Sequence, residues 1–241
     1  MKIRGRRECK SCGTRWSYYD TASVACPDCG SLQSVGVGDR TQHTNTPAEY
    51  DLTPVRSAID DKPLRQIAEG AAERSATYTR KRGFVDAGTL LILDETYVAA
   101  TELRHVAAEI ARELQPSEPS QLYFFDLLKG ADDGERPAAE SVPTELRSPH
   151  GLAMTGAIEA YQRDVRSYLD DHPDEHARSI SGRVRDHRKR MEALDGDVDP
   201  KDADRLLRAT RDLGKYLRSG SESAVVTAEN WLNGIESRYD H

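Results

Sequence analysis

Apolar positions follow a helical period over most of the chain, and the period starts near residue 62. Pro63 suits a helix start, and Lys81, Arg82 and Gly83 suit its end. A second helix is expected from about residue 89 to 114. Its Leu103, Val106, Ala107, Ile110 and Leu114 recur at i, i+3, i+4, i+7 and i+11, which places them on one face. Residues 115–150 interrupt the pattern with five prolines, and only residues 122–128 read there as a short helix plugged into the core. Four further stripes follow. They run through Ile158, Tyr161, Val165 and Leu169; Ile180, Val184, Met191 and Leu194; Leu206, Leu213 and Leu217; and Val225, Ala228, Leu232, Ile235 and Tyr239. Asp199-Pro200 supplies an N-cap and first-turn pair, and Ser219-Gly220 a break. Connections this short suit antiparallel neighbours in a bundle, and neither strand alternation nor an internal repeat interrupts it.

Before residue 62 the period is absent. Residues 38–61 are polar and rich in turn formers, and read as a linker with little structure of its own. Residues 3–7, 14–18 and 32–35 read as short strands. The expected architecture is therefore a small β module over residues 1–37, the linker over 38–61, and an all-α domain over 62–241 with an irregular stretch at 115–150.

Composition changes this picture only at the edges. Leu, Ile, Val and Phe number 44 of 241 residues, a fraction low enough to raise disorder, with which residues 130–150 and the linker fit best. Asp outnumbers Glu 23 to 18 and Arg outnumbers Lys 26 to 8, an acidic, lysine-poor balance that suits salt-adapted cytoplasm. A GC-rich genome would also favour Arg over Lys. The net charge of −7 is uneven: residues 1–40 carry +3 and the remainder −10. No long apolar run and no export signal stands in the sequence, so a cytoplasmic protein without membrane contact is expected.

The specific chemistry lies in four cysteines. Cys9-x2-Cys12 and Cys26-x2-Cys29 have the spacing of a tetrahedral four-thiolate site, in which each pair forms a tight turn that aims both sulfurs at one ion. Gly13 and Gly30 follow the second cysteine of each pair, where φ is commonly positive. Four thiolates in such turns hold zinc, and also the iron of rubredoxin-like modules. Zinc is favoured because it needs no redox partner, and two disulfides are disfavoured in a cytoplasmic chain. A closed site of this kind is structural rather than catalytic.

Cys9-Lys10-Ser11-Cys12-Gly13 and Cys26-Pro27-Asp28-Cys29-Gly30 resemble a zinc ribbon of the transcription-factor-IIB type. The ribbon together with the acidic helical remainder resembles haloarchaeal proteins of that label, for which no activity is established. The resemblance implies that Cys9, Cys12, Cys26 and Cys29 are the metal ligands, and implies nothing for the other residues.

The remaining candidates are weaker. Arg15, Trp16, Tyr18 and Tyr19 could bind a protein partner or stack on a base, although one of them is expected to serve the ribbon's own core. Glu102-x-x-His105 matches half of the di-iron pattern of rubrerythrin-type bundles, but a second copy is missing, so a solvated pair is expected. His172 and His176 flank Pro173 and read as a helix boundary rather than a metal pair. Residues 195–199 open like a calcium loop but lack its glycine and glutamate, and read as a helix connection. The basic run from Arg183 to Arg190 is expected to pair across the bundle surface in preference to nucleic acid. No phosphate-binding loop, catalytic triad motif or zinc-protease motif is present. The sequence therefore points to a non-catalytic zinc-binding adaptor for a protein or nucleic acid, and the resemblance implies a role connected with transcription. A rubredoxin- or rubrerythrin-like iron protein is the alternative.

Overall fold

The computed structural model of the chain describes residues 2–239, without the side chains of Arg238 and Tyr239. The place expected for Tyr239 on the last apolar stripe, and the outer ends of the expected domain ranges, lie outside the described residues. The N-terminal part holds β1 (Lys2–Ile3), β2 (Arg6–Cys9), β3 (Arg15–Ser17), the one-turn helix α1 (Tyr18–Thr21), β4 (Ser34–Val37) and β5 (Thr41–Gln42). A three-stranded antiparallel sheet has the order β3-β2-β4, with Glu8 opposite Arg15 on one side and Val35 on the other. β1 leaves this sheet and pairs with β5, Lys2 opposite Gln42 and Ile3 opposite Thr41.

The 38–61 segment, expected as a linker with little structure of its own, holds only this short strand and one helical turn, yet it is tied down along its length. Gln42 and Leu52 are buried, and the backbone N–H groups of Thr44 and Asn45 donate to the Val85 carbonyl at 2.9 and 3.1 Å. The segment ends in α2 (Thr53–Arg56). Arg56 there grips the Asp132 carboxylate with both guanidinium nitrogens, at 2.6 and 2.8 Å, and the Leu52 N–H donates to the same group at 2.9 Å. Polar composition signals the lack of a buried periodic face. It does not stop backbone groups from pairing with whatever surface the segment crosses.

The helical part comprises α3 (Leu64–Lys81), α4 (Glu95–Arg112), α5 (Glu118–Gly130), α6 (Arg147–Asp171), α7 (Glu175–Ala193), α8 (Pro200–Ser219) and α9 (Glu222–Tyr239). Its first helix ends where the sequence places the end. The second starts six residues later than expected, because a hairpin of β6 (Val85–Asp86) and β7 (Thr89–Leu90) takes up the preceding residues. Ala87 and Gly88 both have positive φ at its turn, 48° and 86°, the sense of twist that two-residue hairpins favour. Asp94 then caps α4 by accepting from the Tyr97 N–H at 2.8 Å. Leu114, expected on the apolar face of this helix, lies beyond its end and is 98% exposed.

Of the stretch 115–150 expected to be irregular, α5 takes residues 118–130 and α6 begins at residue 147; residues 131–146 between them hold three short 3-10 turns and bury Ala131, Ala139, Val142 and Leu146. Among the described residues no helix is long and apolar enough to cross a membrane. Two apolar clusters form the core. One joins α6, α7, α8, α9 and the 84–93 hairpin to Tyr97, Val98 and Ala100 of α4. The other joins α3, α5, the 131–146 turns and Leu52 to Ala99, Leu103, Val106, Ala107 and Ile110 of the same helix.

A close backbone approach fixes how α6 meets the α7–α8 connection. A Cβ at Gly151 would stand 2.1 Å from the Gly196 carbonyl oxygen, whereas at Gly182, within α7, it would meet nothing within 4 Å. Gly151→Ala is expected to lower stability by about 1–3 kcal/mol, as overpacking against backbone does. Gly182→Ala is expected to raise it by about 0.5–1 kcal/mol through helix propensity. Urea unfolding of both variants measures the opposite signs.

Candidate metal centre and a buried carboxylate

The two cysteine turns are built alike. The Cys9 N–H donates to the Thr14 carbonyl and the Gly13 N–H to the Cys9 carbonyl, at 2.9 and 3.0 Å; Cys26, Ser31 and Gly30 repeat both bonds at the same lengths. Gly13 and Gly30 have φ of 78° and 70°, and a Cβ at either would meet nothing. Backbone conformation rather than crowding therefore demands glycine at both places. The first turn leaves the end of β2 and the second precedes β4, so the sheet brings the two pairs face to face.

All four sulfurs lie within 4.8 Å of one another, with Cys9 to Cys29 at 3.6 Å and Cys12 to Cys26 at 3.5 Å. A tetrahedron with metal–sulfur bonds of about 2.3 Å has sulfur–sulfur edges of about 3.8 Å, so the cluster fits one ion with little adjustment. Cys9 and Cys26 are buried and Cys12 and Cys29 exposed. None of the four cysteines is in a disulfide.

Their acidities show why an ion belongs there. The Cys12 backbone N–H, followed by that of Ser11, outweighs burial and draws the Cys9 thiol down to about 6. At Cys29 the Ser31 N–H acts in the same direction, yet Cys12, Cys9 and Cys26 beside it push the thiol up to about 12. Four thiolates this close cannot share the space without a cation, and a divalent ion removes that conflict. Four cysteines within metal-binding distance thus point to a bound metal ion, and the set is the one such group of three or more among the described residues.

The sequence pattern that defines the family of unknown function DUF7117 matches residues 1–232. The chain belongs to that family. No curated protein and no solved structure matches it. What DUF7117 membership leaves open, the side chains of this member must supply.

The four candidate partner residues separate. Arg15 is exposed and paired with Glu8 at 2.7 Å, while the Trp16 indole donates to the Ser23 carbonyl at 3.1 Å. Tyr19 turns inward: a Cβ at Gly5 would stand 1.9 Å from its ring, and its hydroxyl bonds Thr41 and packs beside the His43 ring at 4.5 Å. It therefore cements the module to the 38–61 segment. Tyr18 instead lines a cleft of about 440 Å³ with Lys2, Arg4, Arg7 and Arg40.

Glu102 is a correction. Expected in solvent, it is fully buried, and it does not converge with His105, which lies on another side of α4. The carboxylate meets His150 Nδ1 at 2.8 Å and accepts from Arg136 Nη1 at 3.2 Å and from the Tyr123 hydroxyl; Arg136 Nη2 continues to Asp204 at 2.8 Å. Burial alone would raise the Glu102 carboxyl, but His150, Arg136 and Tyr123 together outweigh it and hold the group below the usual range. Burial and then the Glu102 charge push the Tyr123 phenol up, so it remains a donor. The sequence carried a signal for this: Val98 and Val106, four residues to either side, put Glu102 on an apolar stripe.

The other candidates take structural places. His172 closes α6 and stacks on Tyr168, and His176 faces Glu229 at 3.3 Å. Residues 195–199 connect α7 to α8, as expected. In the basic run Arg183 pairs with Glu236 of α9 at 2.9 Å, and Arg188 is buried against Gln162 and Glu192.

Cys9→Ser or Cys26→Ser is expected to abolish tight metal binding, read by elemental analysis after a chelator wash, while the far-UV helical signal persists. Truncation of Glu102 to Ala is expected to cost about 3–5 kcal/mol, because it leaves Arg136 and His150 buried without their acceptor. A carboxyl held low in the folded state contributes stability above its unfolded pKa of about 4.3, and that contribution is lost as pH falls through the folded value. Acid unfolding of wild type should therefore steepen below about pH 4, and E102A should lose that part of the slope.

Proposed function

We propose that the protein is a non-catalytic adaptor in which a zinc-stabilised ribbon presents a docking face and the helical body carries it. The observation that carries this reading is the closed four-cysteine cluster: all four positions of a tetrahedral ion are taken by the chain, so no site is left for a substrate or an activated water. Zinc fits the role because a structural site needs no redox partner. The resemblance to transcription-factor-IIB ribbons supports a role connected with transcription. Free thiols and the acidic, lysine-poor composition support a cytoplasmic, salt-adapted setting. A protein partner is the first reading, with Arg15 and Trp16 on the outer strand and Tyr18 at the cleft.

A nucleic-acid partner is the second reading, favoured by the cationic cleft. Arg4 and Arg40 there have no ion pair among the described residues, and Tyr18 adds an aromatic face.

Absorption and elemental analysis come first. Colourless protein with one zinc per chain is expected, and a visible ferric-thiolate band with bound iron would favour the rubredoxin-like alternative. Arg4→Glu with Arg40→Glu then tests the face. Capture from high-salt lysate should yield a partner that this variant and the cysteine variants lose, and a partner set indifferent to all of them would overturn the adaptor reading. Salt-sensitive binding of a labelled DNA duplex, lost in the same variant, would select nucleic acid.

A further inference from the structure

A cavity of about 670 Å³ lies between α4 and α6, away from the cysteine cluster, beneath the end of α3 and the residues that follow it. Tyr97, Thr101, Arg104 and His105 line it from α4 at i, i+4, i+7 and i+8, one face of that helix. Gly156 and Arg163 line it from α6, seven residues apart and so on one face as well. At Gly156 a Cβ would stand 3.9 Å from Thr101 and 4.0 Å from His105 Nε2, so the absent side chain leaves the floor deep.

The charges that line the cavity fall into two groups. Its acids are engaged: Asp164 accepts from the Thr44 hydroxyl and the Phe84 N–H, each at 2.6 Å, and Glu159 and Glu192 both face Arg188. Arg82 is engaged too, with Asp94 at 2.9 Å and Asn45 at 2.6 Å, and Arg80 donates to the Thr77 hydroxyl at 3.2 Å. Arg104 and Arg163 have neither a hydrogen bond nor a carboxylate partner among the described residues, although both charges act on the Tyr97 hydroxyl. Solvation alone would satisfy two guanidinium groups on a convex surface. Here both residues, although exposed, line one concavity that also holds two neutral groups without hydrogen-bond partners among the described residues.

Tyr97 is 5% exposed, yet its hydroxyl makes no hydrogen bond with the described residues. Burial drives its phenol up to about 12 against the pull of Arg163 and Arg104, so it is a neutral donor at pH 7. His105 has no hydrogen-bond partner among the described residues either. Burial and then the Arg104 charge lower it to about 4, so it is a neutral imidazole with one N–H to give. The two guanidinium forks offer donors only, and the phenol and the imidazole can each donate beside them, so the set suits an acceptor that carries negative charge. Phe84, edge-on to Tyr97 at 4.8 Å, supplies an apolar wall.

We propose that this cavity binds a small organic oxyanion, with its phosphate or carboxylate group between Arg104 and Arg163 and its apolar body against Phe84 and Tyr97. The site is independent of the metal centre and adds a small-molecule function to the helical body.

Isothermal titration at fixed ionic strength tests it with phenyl phosphate, benzoate and uncharged phenol as probes. At least one anion is expected to bind with one site per chain and phenol not to bind; the preferred anion names the headgroup. R104Q and R163Q are each expected to weaken binding by about tenfold, the cost of one charge-assisted contact. R112Q, an exposed arginine on the same helix held by Glu109, should leave it unchanged. Y97F removes only the hydroxyl and should weaken binding without loss of helical signal, which separates a site effect from misfolding. Failure of both anions to bind wild type, or equal affinity in R104Q, R163Q and Y97F, overturns the proposal.

Discussion

Ten of the eighteen residues of α4 are buried, and eight of them are divided between two cores that the helix separates, while Thr101 and Glu102 are buried polar groups outside both. A helix in that position cannot send a carboxylate to water from either covered side. Glu102 is therefore retained only because three segments supply donors to it: Tyr123 from α5, Arg136 from the turn region and His150 from α6. Asp204 of α8 completes the neutralisation of Arg136. Each of these contacts is too dear to break singly, since the partner left behind would be a buried charge or an unsatisfied donor. The same burial dictates the remaining side of α4. Where α6 carries Gly156 instead of a larger residue, the two helices leave a cavity, which Thr101, Arg104 and His105 of α4 line together with Tyr97 at the edge of the core.

The ribbon depends on a different economy. Its strands are two to four residues long and bury little, so the paired turns need an ion to hold them. What joins it to the body is backbone pairing of β1 with β5, the Tyr19 ring and hydroxyl against His43 and Thr41, and the run of hydrogen bonds from Thr44 to Arg56. A module attached along so much of its connecting segment is not free to reorient as a flexible tether would allow. The cleft and the cysteine cluster are consequently presented from a fixed direction, which suits a docking face.

The arginine-rich composition also acquires a use. Arg56 spans Asp132 with two nitrogens, Arg136 bridges Glu102 and Asp204, and Arg188 reaches Gln162, Glu159 and Glu192 from a buried position. A planar fork can do this and a lysine ammonium cannot. The acidic and arginine-rich parts of the composition are thus linked inside the fold, whatever salt the protein meets outside it.

Much of the local structure was legible in the chain. The cysteine spacing and its two glycines specify the knuckle turns, because the chemistry needs those residues at those intervals whatever surrounds them. The apolar stripes place α3 and the four C-terminal helices, and Asp199-Pro200 and Ser219-Gly220 mark boundaries that the helices observe, because caps act within one turn. Tertiary contact decided the rest. The 38–61 segment has no periodicity and is nonetheless ordered, since its partners are backbone groups some forty residues away, such as Val85. Leu114 has the right spacing for the α4 face, but the helix ends before it. Glu102 sits beside His105 in sequence and apart from it in space, and its true neighbours are 21, 34 and 48 residues away. Periodicity reports which face of an element is apolar. Which donors and charges other elements bring to that face is a property of the packing alone, and there the buried carboxylate and the arginine-lined cavity arise.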